Sequence, residues 1–150
     1  MQQQIHALKY QAAFLHARLL GQLFADALLA RGAALPDVIL PVPLHPARQR
    51  RRGYNQSVEL ARALHRIAGL RVEANWARRV RRTDDQIGMT AVARRRNVAK
   101  AFVVDPQVRG LRIALLDDVM TTGATLGELA RSCLRVGALE VEAWAIARVA

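Results

Sequence analysis

The stretch RIALLDDVMTTGATL, residues 112–126, decides the fold. Ile113, Ala114, Leu115 and Leu116 form an unbroken apolar run, the pattern of a central parallel strand covered on both faces. Asp117 and Asp118 follow, and then the turn Thr121-Thr122-Gly123-Ala124-Thr125. A helix is expected from there to about Val136, stopped by Gly137. In an open α/β sheet, ligands bind at the carboxyl ends of such strands. Gly123 lets the backbone approach a phosphate closely. The first amides of the following helix, with its positive dipole end, receive an anion. Thr121, Thr122 and Thr125 add hydroxyl donors. The carboxylates of Asp117 and Asp118 would repel a phosphate at contact, so they suit sugar hydroxyls or a Mg²⁺ shared with the ligand. The string therefore describes a site for a sugar phosphate. A polar turn before a capped helix would explain a bare TTG without any ligand. It does not explain two adjacent acids directly after a buried strand, which are costly without a purpose.

Outward from this stretch, helices and strands alternate. Residues 7–30 read as an amphipathic helix with Leu8, Ala12, Leu15, Leu19 and Leu23 at three- and four-residue steps, ended by Gly32 and Pro36. Val38 to Leu44 is a buried strand running into a rigid, proline-bounded loop that continues through His45, Pro46, Arg48, Arg50, Arg51, Arg52 and Gly53. Asn55 caps a helix from Gln56 to about Ala68, with Val58, Ala61, Leu64 and Ala68 inward. Val72–Val80 is a weaker strand. Arg81–Lys100 reads as a long basic loop with at most one helical turn, and long loops in compact domains are usually functional or disordered. Ala101–Val104 and Val141–Val149 are strands. The alternation predicts one α/β domain over residues 1–150 with a mainly parallel sheet flanked by helices.

Charge is concentrated. The 150 residues carry 23 Lys or Arg and 12 Asp or Glu, a net +11, and 21 of the basic residues are Arg. Residues 48–96 hold 14 Arg against four acids, while the rest of the chain is almost balanced. Such a field attracts phosphates, on a small ligand or on a nucleic acid. With 52% hydrophobic residues wholesale disorder is excluded. No apolar run reaches the roughly 18 residues of a membrane helix, and MQQQIHALKY has no signal-peptide core, so a cytoplasmic protein without membrane insertion is expected. Cys133 is the sole cysteine, which rules out an internal disulfide and a multi-cysteine zinc site. It shares a helical face with Leu129 and Val136 and reads as a buried structural thiol, and Trp76 and Trp144 read as packing.

LLDDVMTTGATL (residues 115–126) resembles the phosphoribosyl-pyrophosphate (PRPP) signature of type I phosphoribosyltransferases. PVPLHPARQRRRGYNQSVELARAL (41–64), ALKY (7–10) and RRTDDQIGMTAVARRRNVAKAF (81–102) are similar to the competence protein F family, so the resemblance covers nearly the whole chain. It implies a type I phosphoribosyltransferase-like, Rossmann-like sheet with a flexible hood. It implies that Asp117 and Asp118 contact ribose and that Thr121, Thr122, Gly123, Ala124 and Thr125 hold the 5′-phosphate. Pyrophosphate would lie on the loop after the first strand, at Pro43, Leu44 and His45, with Arg48 or Arg52 as donors. Thr83, Gln86, Arg94, Arg95 and Arg96 would belong to the hood. Mg²⁺, on Asp117 and Asp118, would accompany PRPP. Thr121 stands where purine-salvage members carry an acid, which argues against a 6-oxopurine acceptor. Many relatives carry an N-terminal zinc module; this sequence begins at the ALKY element without those cysteines, so zinc is not expected. The implied activity is phosphoribosyl transfer with loss of pyrophosphate. Two competing functions are a PRPP or nucleotide binder without turnover, and a DNA-associated protein of natural transformation. The implied partners are PRPP or a nucleotide, single-stranded DNA and competence proteins such as the uptake helicase, and dimers are common for the fold. Against a dedicated single-strand binder, only Tyr54 and Trp76 offer stacking surfaces in the arginine-rich segment.

Overall fold

The computed structural model describes residue 15 and residues 18–32, 34–81 and 90–149, with residues 91, 94 and 95 by backbone alone. In chain order it has a helix over residues 18–30 (α1), strand β1 (Val38–Pro41), helices α2 (Pro46–Arg52) and α3 (Gln56–Ala68), and strand β2 (Ala77–Arg79). Helix α4 (Ala91–Val98), strand β3 (Phe102–Val104), a 3-10 turn (Pro106–Val108), strand β4 (Arg112–Met120), helix α5 (Ala124–Val136) and strand β5 (Glu140–Arg148) complete it. The central sheet is parallel in the order β1-β4-β5, and β2 and β3 form a separate antiparallel ribbon.

The apolar run predicted for residues 113–116 is the middle strand, buried on both faces. Ile113 and Leu115 join Val38, Leu40, Phe102, Leu126, Leu129 and Cys133 on one side. Ala114 and Leu116 join Ile39, Leu60, Leu64, Ala25 and Trp144 on the other. Alternate residues of one strand therefore feed two cores, as the period of two requires. At the amino ends of the strands, Asp37 pins the register. Its carboxylate accepts from the Arg112 amide (2.7 Å) and from the Arg112 guanidinium (3.2 Å). The Val72–Val80 segment is a strand only at β2, although Val72 also bridges Ile39 and extends the sheet beyond β1.

The face chosen by α1 differs from the leucine spacing. Leu8 and Ala12 lie outside the described residues, while Leu15, Leu19 and Leu23 are about 60% exposed (65%, 60% and 59%). Gly21, Ala25 and Leu28 face inward instead. Small residues win this face because the helix crosses α3 closely: a Cβ on Gly21 would lie 2.6 Å from Cβ of Ala63. Phe24 stands edge-on to Trp144 with ring centroids 5.5 Å apart, closing the same interface. Gly21→Ala should therefore cost about 1–3 kcal/mol in urea unfolding by overpacking. Ala63→Gly in the same chain should recover most of that loss, and strictly additive losses in the double variant would refute the contact.

Candidate functional site

The site arises where β4 outruns β1. Pro41 is level with Leu116, and beyond that pair β4 is hydrogen-bonded only to β5, through Asp117, Val119 and Met120. The Val42 amide makes a last bond to Leu116 O (2.8 Å), and Pro43 and Pro46 then steer the chain away. After β1 the chain runs to α3 on one face of the sheet; after β4 it runs to α5 on the other. Connections that part in opposite directions open a crevice at the carboxyl ends of the strands.

Asp117 opens onto this crevice and Asp118 follows it on the strand, each half-buried. Ser57 Oγ donates to Asp117 Oδ1 (3.1 Å), and the Asp118 amide donates to the same oxygen (2.9 Å). Burial first, and then the neighbouring charge of Asp118, push the Asp117 carboxyl up to about 7. Ser57 is held in turn by Asn55, whose Oδ1 accepts from the Ser57 amide (3.0 Å). Asn55 Nδ2 donates to Val42 O (3.0 Å), so one cap side chain ties the end of β1 to the acid pair through Ser57. The sequence marked Asn55 as a cap. It gave no sign of Ser57, because the contact joins residues 60 apart in the chain.

The turn after β4 is built as expected. Gly123 adopts φ 71°, ψ 9° and caps α5 without a side chain. A Cβ there would meet Met120 Sδ at 3.5 Å, so the left-handed backbone and not space makes glycine the fit. Thr122 Oγ1 accepts from the Ala124 amide (3.4 Å). Asp117, Met120, Thr121, Gly123, Ala124 and Thr125, with Val119 and Leu126, line a recess of about 60 Å³.

Two basic segments differ from the loops expected of them. Residues 46–52 are helix α2: Pro46 opens it, His45 Nδ1 accepts from the Ala47 amide (3.2 Å), and Gly53 at φ 81° ends it. His45 is thereby a cap. Pro43 has no amide to offer an anion, so the backbone donors of this turn are those of Leu44 and His45. Arg48 is half-buried on α2, and Arg52 is exposed with a long bond to Gln56 (3.5 Å). In the hood, Thr83 and Gln86 lie outside the described residues. Arg94, Arg95 and Arg96 fall in α4, an eight-residue helix capped by Thr90 where at most one turn was expected. Arg96 is exposed, and its carbonyl and that of Asn97 accept from Arg81. At the far end of α4, the buried Glu128 of α5 accepts from the Lys100 amide (3.0 Å) and from Arg131 and Arg135. These bonds clamp the C-terminal end of the segment to α5.

The ribbon supplies a buried arginine, Arg79, that left no mark in the sequence pattern. It is 8% exposed, with its guanidinium 5.5 Å from the Phe102 ring centroid. Burial and the charge of Arg48 pull its pKa below the usual guanidinium value, while Asp117 acts in the opposite sense. Cys133 is buried in the core, its thiol pushed up to about 11 by burial, as a structural residue should be. Among the described residues no three His, Cys, Asp or Glu gather as a metal centre, and no helix is long and apolar enough to cross a membrane.

Comparison with known proteins fits this geometry. No family model matches the chain. It is 38% identical over 148 residues to the DNA utilization protein YhgH of Salmonella typhi, covering 96% of this chain and 65% of the relative. It is 40% identical over 135 residues to competence protein F of Haemophilus influenzae, covering 88% and 59%. The chain belongs to the competence protein F family. It spans about two thirds or less of the length of these relatives. Family member ComFC of Bacillus subtilis is 31% identical over 103 residues. Among solved structures, the glutamine PRPP amidotransferase of B. subtilis superposes with a TM-score of 0.57 at 20% identity, over 87% of this chain and 26% of that one. The allosteric regulatory enzyme of purine biosynthesis superposes equally well, at 0.57 and 20%. The fold of this family member is thus that of the type I phosphoribosyltransferases, as its signature implied.

The raised Asp117 carboxyl has a sign that can be checked. In the folded protein the group binds a proton up to about pH 7; in the unfolded chain it does so only up to about 3.8. Between those values the native state holds more protons, so this group's contribution to stability falls as pH rises through that window. Asp117→Asn should match the parent near pH 4 and exceed it at pH 8, in chelator, by an amount on the order of 1–4 kcal/mol. A difference between the two proteins that does not change with pH would rule out a buried, destabilised carboxylate.

Proposed function

We propose that this chain binds PRPP in the crevice and transfers its phosphoribosyl group to an acceptor with release of pyrophosphate. One observation carries the reading: a pair of acids, one of them desolvated and near neutral, stands at the switch point of a phosphoribosyltransferase fold, next to a glycine-capped helix start. In this reading the ribose hydroxyls donate to Asp117 and Asp118, and Ser57 holds Asp117 in place. The 5′-phosphate takes the recess at Thr121–Thr125, on the first amides of α5. Leu44, His45, Arg48 and Arg52 lie toward the pyrophosphate. Transfer breaks the bond from C1 to the pyrophosphate oxygen, which leaves with the electron pair; the acceptor's lone pair forms the new bond and its proton passes to solvent.

Two adjacent carboxylates are too few to cage a metal, but they fit a Mg²⁺ that completes its shell with ligand oxygens and water. Bound there, the ion would supply charge neutralisation for the pyrophosphate. Thr121, exposed at the rim of the recess, cannot serve as the acid that would receive a purine. Competence and DNA uptake are the biological setting proposed from the relatives' names. Calorimetry with PRPP and MgCl₂ should give saturable binding that Asp118→Ala weakens about tenfold or more, and pyrophosphate release should appear with the right nucleobase. Binding without release for any acceptor would leave a PRPP-binding module. No heat with PRPP, AMP or GMP would end both readings.

A second reading rests on the surplus charge. Arg50, Arg51 and Arg52 are exposed side by side on α2, and Arg78 and Arg81 are exposed nearby in sequence to Arg79. One small ligand cannot occupy them all. If they hold single-stranded DNA as a competence partner, affinity should fall steeply as salt rises, through counterion release. DNA binding that is indifferent to salt would exclude an arginine-driven mode.

A further inference from the structure

Strand β5 ends the central sheet, and among the described residues no strand pairs with its outer edge. It is nine residues long, and its middle, Ala143 to Ala147, carries neither a charge nor a proline to blunt that edge. The Leu139 and Val149 amides donate inward, to Leu111 O and Met120 O (both 2.9 Å). The alternation of a strand then turns the amides and carbonyls of Glu140, Glu142, Trp144, Ile146 and Arg148 outward.

The strand is complementary to itself. Laid antiparallel against a second copy about Trp144, Glu140 falls opposite Arg148 and Leu139 opposite Val149. Glu140 and Arg148 are both exposed, and Leu139 and Val149 are exposed to 70% and 54%. Opposite charges facing each other across strands stabilise the pairing, as apolar pairs do, and no like charges meet in this register. The residues with outward amides are also the ones that exchange hydrogen bonds in it. A slip of one residue pair would set Glu142 against Arg148, but Glu142 is already paired with Arg31 of α1 (3.6 Å).

Helix α1 points the same way. It lies over β5, with Phe24 against Trp144 and Arg31 against Glu142, and it meets α3 through Gly21. Helix α3 covers β1 and β4. At about 100° per residue, Leu19 and Leu23 stand on the side of α1 opposite Gly21, away from α3 and over the open edge. A helix apolar on both sides is ordinarily covered on both.

We propose that β5 is a self-association strand. Two copies pair antiparallel through it about a two-fold axis at Trp144, so that the sheet of one continues into the other and the α1 leucines of both meet over the join. The interface is isologous, so the Glu140–Arg148 and Leu139–Val149 pairs each occur twice. Antiparallel pairing also puts the two crevices at opposite ends of the joined sheet, and neither blocks the other.

Sedimentation of the full chain over a range of concentrations tests this. The parent should be a dimer. Glu140→Arg and Arg148→Glu, each reversing one charge of two pairs, should each raise the dimer dissociation constant about tenfold or more. A chain carrying both reversals restores opposite charges and should dimerise within about threefold of the parent. A monomeric parent overturns the proposal, since something else then covers the edge. A dimer indifferent to both reversals overturns it too, and places any association on α1 alone. The register is read by mixing Ala143→Cys and Ala145→Cys chains. Those positions face each other at a separation that a disulfide spans, so cross-linking should need both chains. Cross-linking of Ala145→Cys with itself alone overturns pairing about Trp144. If a reversal variant does not fold, the mixed cross-link decides, and its absence overturns the proposal.

Discussion

Everything at the site depends on β4 being longer than the strand beside it. From Ile113 to Leu116 the strand is paired on both edges and covered on both faces, and all four side chains there are apolar. One residue later the β1 edge is open, because Pro43 and Pro46 have led that chain away. The carboxylate of Asp117 sits on this boundary, close enough to the core to be desolvated and far enough out to be reached. Had β1 continued for two more residues, the same carboxylate would be sealed in.

That boundary explains how the supporting bonds are arranged. Asn55 accepts from one amide and donates to one carbonyl, and so couples the end of β1 to the start of α3. Ser57, in the first turn of that helix, then reaches Asp117. The cap that starts a helix thereby also orients an acid, and the two sides of the crevice are fixed to each other by side chains of a single short segment. On the other face, Glu128 holds the end of the 81–100 segment to α5, whose first turn lines the recess.

What the sequence showed and what it hid divide along physical lines. The Ile113–Leu116 run, the acid pair and the Thr-Gly turn were legible because each is local: burial on two faces, a switch of polarity and a left-handed residue leave marks within a dozen positions. The helices α2 and α4 were hidden because PARQRRR and AVARRRNV have no apolar period. Their termini were nonetheless written in the chain, as Pro46 and Gly53 around α2 and Thr90 before α4, so caps were better evidence here than hydrophobic spacing. For α1 the spacing misled. The leucine row was the more regular, but the glycine and alanine row could approach α3, and closeness of packing decided the face. Ser57 and Arg79 left no local trace, since each matters only through residues far along the chain.

The excess of positive charge is not uniform once the strands are in place. A run of arginines in sequence looks uniform, yet the fold sorts it by burial. Arg79 is inside, Arg48 half inside, and Arg50, Arg51, Arg52 and Arg78 outside. For Arg79, burial and the neighbouring Arg48 lower the pKa while Asp117 raises it. The outer ones are screened by salt and add mainly long-range attraction. A single stretch of chain thus supplies both kinds, and a buried guanidinium and an exposed one are different chemical groups in water.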